Sequence, residues 1–196
     1  MAYFYSISVI IVVFSVLGLF GNCNVIWATC RKPQLRKKHG NEVPGLLLAH
    51  LAGYHLICIS SQWVNLSYSV NRQPPQQDEC FRLILPYIFA ISAQAMMYVV
   101  IVGDLLAAIL IPLRHHFLQP SGYVTIVSIP VWIYSTAVTL WGSLAVEKKQ
   151  IMFCNPALAL NGSANRFWLY TNLGIIIAVV VLHAIVWVIL RRKCES

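Results

Sequence analysis

Hydrophobic residues run along this chain in five long blocks, and short polar segments separate them. The third block is the clearest, since the segment from Leu83 to Pro112 carries a single formal charge, at Asp104. An apolar run of this length can cross a hydrocarbon layer about 30 Å thick as a tilted helix. The pattern predicts five transmembrane helices, over residues 3–30, 44–70, 81–111, 123–146 and 167–190.

Composition places the chain in the membrane class. Hydrophobic residues make up 59% of it and charged residues 10%, and its mean hydropathy is +0.71, which is too apolar for an ordinary soluble domain. We therefore predict an all-α integral membrane helix bundle that forms a single domain. The first block has no basic segment before it and no small-residue cleavage site after it, which argues against a removed signal peptide.

Basic residues indicate the orientation of the bundle. The segment RKPQLRKKHG lies between the first two blocks, and the positive-inside rule assigns it to the cytoplasm. The N-terminus is then extracellular, as in a multi-pass protein of the plasma membrane. Nine of the 14 Lys and Arg residues fall in predicted cytoplasmic segments, which is a moderate bias. The net charge of +8 comes from short patches beside apolar blocks, so nucleic-acid binding is not expected.

Two cysteines fall on the predicted external side, which is oxidising. Cys80 begins the third block and Cys154 lies in the large outer loop, so a disulfide between them would tie this loop to the bundle. The Asn-Gly-Ser sequon in that loop predicts N-glycosylation of Asn161, whereas a second sequon, at Asn65, is too close to the membrane. At the inner end, Cys194 is either a palmitoylation site or a free thiol.

Several motifs keep a common register along the blocks. They are Gly21-Asn22-x-x-Val25, Leu51-Ala52-x-x-His55, Cys80, Asp104-x-x-Ala107-x-Ile109-x-x-Pro112-Leu113 and Trp132. Their joint spacing resembles the rhodopsin-like G-protein-coupled receptors, and among these the nematode serpentine chemoreceptors, class SX. The resemblance covers the whole chain but corresponds to the first five of the family's seven helices. It implies a chemosensory receptor that is truncated, or one that works only beside another receptor chain.

On the cytoplasmic side, the resemblance implies a heterotrimeric G protein as partner. Asp104 is similar to the acid that the family uses in its conformational switch, and Pro112 and Leu113 look like its G-protein contact. The family's arginine after this acid is a leucine here. We therefore expect Asp104 to find another partner, which would be Arg114, His115 or interfacial water.

The resemblance also implies polar contacts between helices. Asn22 and His55 lie at similar depths from the cytoplasmic ends of their helices, so we expect a hydrogen bond between them. His55 stands where the family has a sodium-binding aspartate, and an imidazole predicts no sodium site. The indole N–H of Trp132 is expected to donate to His50.

The outer third of the third helix lines the family's ligand pocket. The matching residues are Tyr87, Ile91 and Gln94, with Trp141 and Trp168 at the border. The implied ligand is a small molecule or a peptide. A biogenic amine is disfavoured, because Tyr87 replaces the aspartate that binds amines in the family.

Other classes of function remain open. A haem-binding membrane oxidoreductase would use paired histidines, but His50 and His55 point about 140° apart on one helix. A small transporter would show internal repeats, which are not apparent. A non-signalling assembly partner of full-length receptors would fit the missing helices. No nucleophile–base pair, metal-ligand cluster or phosphate-binding glycine loop is recognisable, so we expect no enzymatic activity and no cofactor.

Overall fold

Six helices account for most of the described chain. The computed structural model describes residues 2–31, 43–71, 74–111 and 120–195. Its helices are α1 (Ala2–Arg31), α2 (Val43–Asn71), α3 (Gln77–Leu110), α4 (Pro120–Leu144), α5 (Pro156–Ala159) and α6 (Gly162–Glu195). Within these ranges, pairing of extended backbone is limited to one isolated antiparallel bridge, between Gln76 and Gln150. The predicted all-α fold class is confirmed.

Among the described residues, four helices are long and apolar enough to cross a membrane. The qualifying segments are Ser8–Arg31, Gln77–Leu110, Gly122–Leu144 and Gly162–Lys193. The sequence predicts a further span in α2, which has the necessary length at 29 residues. Polar side chains such as Gln62 and Asn65 interrupt its apolar run, and these bond to neighbouring elements. The chain is an integral multi-pass membrane protein.

α3 is the central helix of the bundle. It packs against α2, α4, α5 and α6, whereas α1 packs against α2 at the edge. The apolar side chains on the outer faces of α1 and α6 are largely exposed, as Phe20 and Val181 illustrate. Lipid tails are as apolar as these side chains, so such faces can lie in a bilayer without a hydrophobic cost. Contacts from both flanks of the bundle therefore meet on α3.

Two apolar clusters fill the space between the helices. The residues at their centres are Phe81, Ile84 and Ile88 in the outer cluster and Leu51, Met97 and Val131 in the inner cluster. The outer cluster includes part of the loop between α4 and α6, and the inner cluster joins α2, α3 and α4. The outer loop is therefore part of the packed structure and not an appendage.

Gly142 in α4 permits a close approach between α4 and the outer cluster. A Cβ atom built at this position would lie 2.5 Å from Leu160 Cδ2 and 2.9 Å from Phe81 Cε2. Heavy atoms this close overlap, and a packed interior has little room to move aside. The missing side chain is what allows Leu160 and Phe81 to meet against α4.

Candidate functional site

A disulfide at the outer end of α3 anchors the outer loop. Cys80 and Cys154 are bonded, with their Cα atoms 5.5 Å apart, and both are fully buried. One turn earlier, Gln77 is buried as well, and its Nε2 donates to the carbonyl oxygens of Leu158 and Ala159. The predicted disulfide is confirmed, and it holds the loop over the outer cluster.

A chain of hydrogen bonds runs from this loop through α2 to α3. The backbone N–H of Cys154 donates to Asn65 Oδ1 at 3.0 Å, and Asn65 Nδ2 donates to Gln62 Oε1 at 3.2 Å. Gln62 Nε2 then donates to Tyr87 Oη at 3.1 Å. Each amide uses both its donor and its acceptor, which sets its orientation. Sequence reasoning missed this chain, since Asn65 was considered only as part of a sequon.

A groove of about 340 Å³ opens between α3 and α6. Its lining includes Ile91, Gln94, Ala95 and Tyr98 from α3, and Trp168, Asn172 and apolar side chains as far as Val180 from α6. No formally charged side chain in the described part of the chain lines it. Two of the predicted pocket residues, Ile91 and Gln94, therefore lie here. Tyr87 lies outside this lining, and its hydroxyl bonds to Gln62 of α2.

Polar side chains in the groove are held by their neighbours. Trp168 Nε1 donates to the buried Ser92 Oγ at 3.2 Å, and Asn172 Nδ2 donates to the Trp168 carbonyl oxygen at 2.7 Å. Gln94 Oε1 accepts from the Cys58 thiol, with the sulfur 3.7 Å away. The Gln94 amide nitrogen and the Asn172 side-chain oxygen have no hydrogen-bond partner among the described residues. A ligand in the groove would meet one donor group and one acceptor.

The predicted pair Asn22 and His55 belongs to a network that joins three helices. Asn22 Oδ1 on α1 lies 3.1 Å from His55 Nδ1 on α2. On the other side of the ring, His55 Nε2 lies 3.3 Å from Tyr98 Oη on α3. Asn22 Nδ2 also donates to the Gly18 carbonyl oxygen at 2.8 Å. Since Tyr98 lines the groove, the network connects α1 to the α3–α6 groove.

Asp104 is buried near the inner end of α3 and bonds to α4. Tyr123 Oη donates to Asp104 Oδ1 at 2.9 Å, and Asp104 is 6% exposed. The predicted partners and G-protein contacts that lie outside the described residues are Arg114, His115, Pro112 and Leu113. Tyr123 was not foreseen, although a tyrosine at the start of the fourth apolar block is a signal that could have indicated it.

The indole of Trp132 bonds to Tyr54 and not to His50. Trp132 Nε1 donates to Tyr54 Oη at 2.9 Å. The prediction was wrong because it chose the partner by sequence register alone. Tyr54 lies one turn beyond His50 on α2, is buried, and has a side chain long enough to reach α4, whereas His50 is exposed beside a shallow groove along α2. An indole has a single N–H donor, so this bond leaves none for His50.

Comparison with known families assigns this chain to a protein family. Residues 15–196 match the family model described as serpentine type 7TM GPCR chemoreceptor Srsx. The chain belongs to the Srsx family. It is a G-protein-coupled-receptor-like chemosensory protein and not an enzyme, and the predicted resemblance to nematode serpentine chemoreceptors is confirmed. A search of curated proteins gave no match.

In this Srsx family member, tryptophan and arginine pair near the ends of two outer helices. The Arg31 guanidinium lies 4.2 Å from the ring centroid of Trp27 in α1, and the Arg191 guanidinium lies 5.6 Å from that of Trp187 in α6. Both distances are within the range of a cation–π interaction. Tryptophan and arginine both favour the membrane–water interface, so we expect these pairs to lie at the interface on the basic side of the bundle.

The last turn of α3 is joined to α6 on the same side. Lys193 Nζ donates to the Ile109 carbonyl oxygen at 2.9 Å. The last carbonyl groups of a helix lack intrahelical partners and carry partial negative charge, so an ammonium group there is stabilising. This bond holds the inner ends of α3 and α6 together, below the groove.

The predicted glycosylation residue, Asn161, directly precedes α6. Its Oδ1 accepts from the Gly162 N–H at 2.8 Å, and Gly162 has a φ of +52°, which favours glycine. Glycosylation of Asn161 stays a prediction. Cys23 and Cys30 are exposed free thiols on α1, and the side chain of Cys194 lies outside the described residues.

Proposed function

We propose that this Srsx chain is a chemosensory receptor that binds a small uncharged ligand in the α3–α6 groove and signals to a heterotrimeric G protein. The observation that carries the proposal is the groove itself. Its volume of about 340 Å³ lies at the lower end of the range for small-molecule sites. Its lining is mainly apolar, and the amides of Gln94 and Asn172 supply the polar groups that would orient a ligand.

The absence of charge from the described lining supports an uncharged ligand. A charged group that leaves water for an apolar site needs a partner of opposite charge, because the cost of an unpaired buried charge is several kcal/mol or more. The only acid on the inner half of α3 in the described chain, Asp104, bonds to Tyr123 and does not line the groove. A biogenic amine is therefore disfavoured.

The proposed orientation places the N-terminus outside the cell, in the plasma membrane. The disulfide lies at the outer end of α3, where the compartment would be oxidising. The basic residues Arg31, Arg191 and Lys193 lie at the other end of the bundle, as the positive-inside rule requires for a cytoplasmic face. Both observations support the same orientation.

The proposed signalling face is the inner end of α3. Asp104 and Tyr123 join α3 to α4 there, and Lys193 joins α3 to α6. A ligand that moved α3 relative to these neighbours would have to break or lengthen one of the two contacts. The predicted G-protein contacts, Pro112 and Leu113, follow directly in the chain. The G protein would thus meet the chain directly after the end of α3 that these two bonds hold.

A pair of matched variants tests the ligand site. Ala95→Phe places a ring in the groove, whereas Ala178→Phe adds the same ring to an exposed position of α6 outside the groove lining. The full chain is reconstituted in nanodiscs with a G protein, and nucleotide exchange is measured against a panel of uncharged volatile compounds. We expect Ala95→Phe to abolish the response and Ala178→Phe to retain it. Equal responses in the two variants would contradict a site in this groove.

A second candidate function is that of a non-signalling assembly partner of other receptors. It is favoured by the lateral opening of the groove and by the exposed apolar residues that line it on α6, such as Ile176 and Val180. Co-purification of the chain with a seven-helix receptor, lost in Ala95→Phe but not in Ala178→Phe, would support this role. Ligand-evoked nucleotide exchange by the chain alone would contradict it.

A further inference from the structure

The hydrogen bonds around His55 have a defined direction. Asn22 Nδ2 donates to the Gly18 carbonyl oxygen at 2.8 Å, so the side-chain oxygen of Asn22 faces His55 Nδ1. A carbonyl oxygen can only accept, and Nδ1 must therefore carry the hydrogen. In a neutral imidazole the other nitrogen is then an acceptor. The Tyr98 hydroxyl, 3.3 Å from Nε2, donates to it.

We propose that protonation of His55 decides whether the Tyr98 hydroxyl is available as a donor to a ligand in the α3–α6 groove. This inference rests on the proposed ligand site. Its regulator is the proton and its effector residue is Tyr98, which both bonds to His55 and lines the groove. The class of ligand affected is an uncharged molecule with a hydrogen-bond-accepting oxygen, such as a ketone.

The change requires one proton and no movement of a helix. A proton from water binds Nε2 of neutral His55, and the resulting imidazolium has a donor on each nitrogen. Nδ1–H continues to donate to Asn22, and Nε2–H now donates to the oxygen of Tyr98. The hydroxyl hydrogen of Tyr98 can no longer point at Nε2, so it rotates about the C–O bond toward the groove. A ligand oxygen in the groove then finds a donor that was previously occupied.

The surroundings of His55 leave the imidazole as the group that titrates in this network. Among the described residues its hydrogen-bond partners are Asn22 and Tyr98. Titratable residues on the helices of this bundle include Cys23 on α1, which is exposed; His50, Tyr54 and Cys58 on α2; Asp104 on α3; and Tyr123 on α4. Tyr54 accepts from Trp132, Cys58 bonds to Gln94, and Tyr123 bonds to Asp104.

Histidine is the side chain whose ordinary pKa, about 6.5, lies in the pH range from about 5 to about 8. Cysteine and tyrosine stay neutral there in the absence of a perturbing neighbour. His50 is another histidine on α2 but is not bonded to Tyr98, so a His50→Asn variant separates its contribution. The network thus assigns any Tyr98-dependent pH effect on ligand binding to His55.

The first test uses two probes that differ in one oxygen. The full chain is placed in nanodiscs of uncharged phospholipid, and a methyl ketone and its alkene isostere compete with the uncharged dye Nile red at about pH 8 and about pH 5. One added hydrogen bond corresponds to an affinity gain of about fivefold to tenfold. We expect this gain on acidification for the ketone but not for the alkene. It should disappear in Tyr98→Phe and in His55→Asn and persist in His50→Asn.

A persistent pH effect in Tyr98→Phe would overturn the inference. So would equal pH effects on the ketone and the alkene. The proposed ligand site is tested separately by Ala95→Phe and Ala178→Phe. If Ala95→Phe fails to reduce displacement of the dye by either probe, the groove is not the ligand site and the proposed function fails. If it does reduce displacement but the pH effect is insensitive to Tyr98, the inference alone fails.

A second measurement needs no ligand. Nitrogen-15 NMR of labelled histidine distinguishes the two neutral tautomers from the imidazolium, and subtraction of the His55→Asn spectrum isolates the His55 signals. At about pH 8 we expect the tautomer with hydrogen on Nδ1, as the contact with Asn22 requires. A hydrogen on Nε2 at that pH would overturn the inference whatever the binding data show.

Discussion

Asn65 on α2 accepts a hydrogen bond from the backbone N–H of Cys154, 89 positions later in the chain, at 3.0 Å. The disulfide attaches the outer loop to α3, so this second attachment ties the same loop residue to α2. Two helices and the loop are therefore joined at one point. The polar chain to Gln62 and Tyr87 begins at this point.

Asn65→Ala should weaken this attachment. It leaves the N–H of the buried Cys154 without its acceptor, which typically lowers the free energy of unfolding by about 1–3 kcal/mol. Thermal unfolding in detergent measures the change. Ser67→Ala is the control, because the Ser67 hydroxyl is exposed and bonds within its own helix. Equal effects of the two variants would argue against the role assigned to Asn65.

Loss of the disulfide should lower the free energy of unfolding by more than Asn65→Ala does. Cys80→Ser removes the bridge across a sequence separation of 74 residues, and we expect the free energy of unfolding to fall by about 2–5 kcal/mol. The double variant Cys80→Ser/Cys154→Ser should behave like the single one, since the bridge is lost in both. Cys23→Ser, at an exposed free thiol, should leave stability unchanged. A reducing agent should destabilise the wild type and not the double variant.

Gly142→Ala should destabilise the outer cluster. The new Cβ would overlap Leu160 and Phe81, and overpacking of this kind costs about 1–3 kcal/mol. Gly174→Ala in α6 is a matched control, because a Cβ there meets nothing within 4 Å. Since alanine favours a helix over glycine, the control should be neutral or slightly stabilising. The two variants should therefore shift the unfolding temperature in opposite directions or by clearly different amounts.

Tyr123→Phe should loosen the contact between α3 and α4. The variant removes the hydroxyl that donates to Asp104 Oδ1, and loss of one partner of a buried hydrogen bond costs about 1–3 kcal/mol. Tyr170→Phe is the control, because Tyr170 is 73% exposed on α6. If Asp104→Asn alone costs as much as the double variant with Tyr123→Phe, the two residues act through one bond. Strictly additive losses would contradict the proposed pairing.

Glycosylation at the outer loop has a simple test. Protein made in eukaryotic cells should carry one N-linked glycan that a glycosidase can remove, because Asn161 is on the proposed external side. Asn161→Gln should remove this glycan and its mass. Asn65→Gln should leave the glycan in place, since the Asn65 side chain is bonded to Cys154 and Gln62. A protein of unchanged mass after Asn161→Gln would contradict either the modification or the orientation.

Much of the fold could be predicted because its determinants are local. Long apolar blocks specify membrane helices whatever their neighbours are, and five of the six helices overlap the predicted spans closely. The missing one, α5, is a single turn of four residues that begins at Pro156 in the outer loop. A turn this short has no apolar period, and only its Asn155 cap and Pro156 indicate it in the sequence.

The disulfide could also be predicted, because it needs only the side of the membrane and not the rotation of a helix. Most side-chain partners could not, because they depend on both the rotation of a helix and the depth of each residue in the bundle. Successive residues on a helix point about 100° apart. Two residues one turn apart, such as His50 and Tyr54, therefore lie on about the same face of the helix but at different depths in the bundle. This is why Trp132 was assigned to His50 although Tyr54 is the residue within reach. The bonds of Asn65 and Tyr123 likewise depend on how each helix is rotated and how deep each residue lies, which the sequence pattern does not specify.

The pairs Trp27–Arg31 and Trp187–Arg191 lie at the basic ends of two helices, and both residue types favour the lipid headgroup region as an anchor. With 30 residues, α1 is about 45 Å long, well beyond the hydrocarbon thickness of an average bilayer. With one end anchored, the surplus length must be absorbed at the opposite leaflet or by leaning of the helix. A thick, sterol-rich bilayer relieves this mismatch better than the thin membrane of the endoplasmic reticulum, which would favour export of the protein to the cell surface.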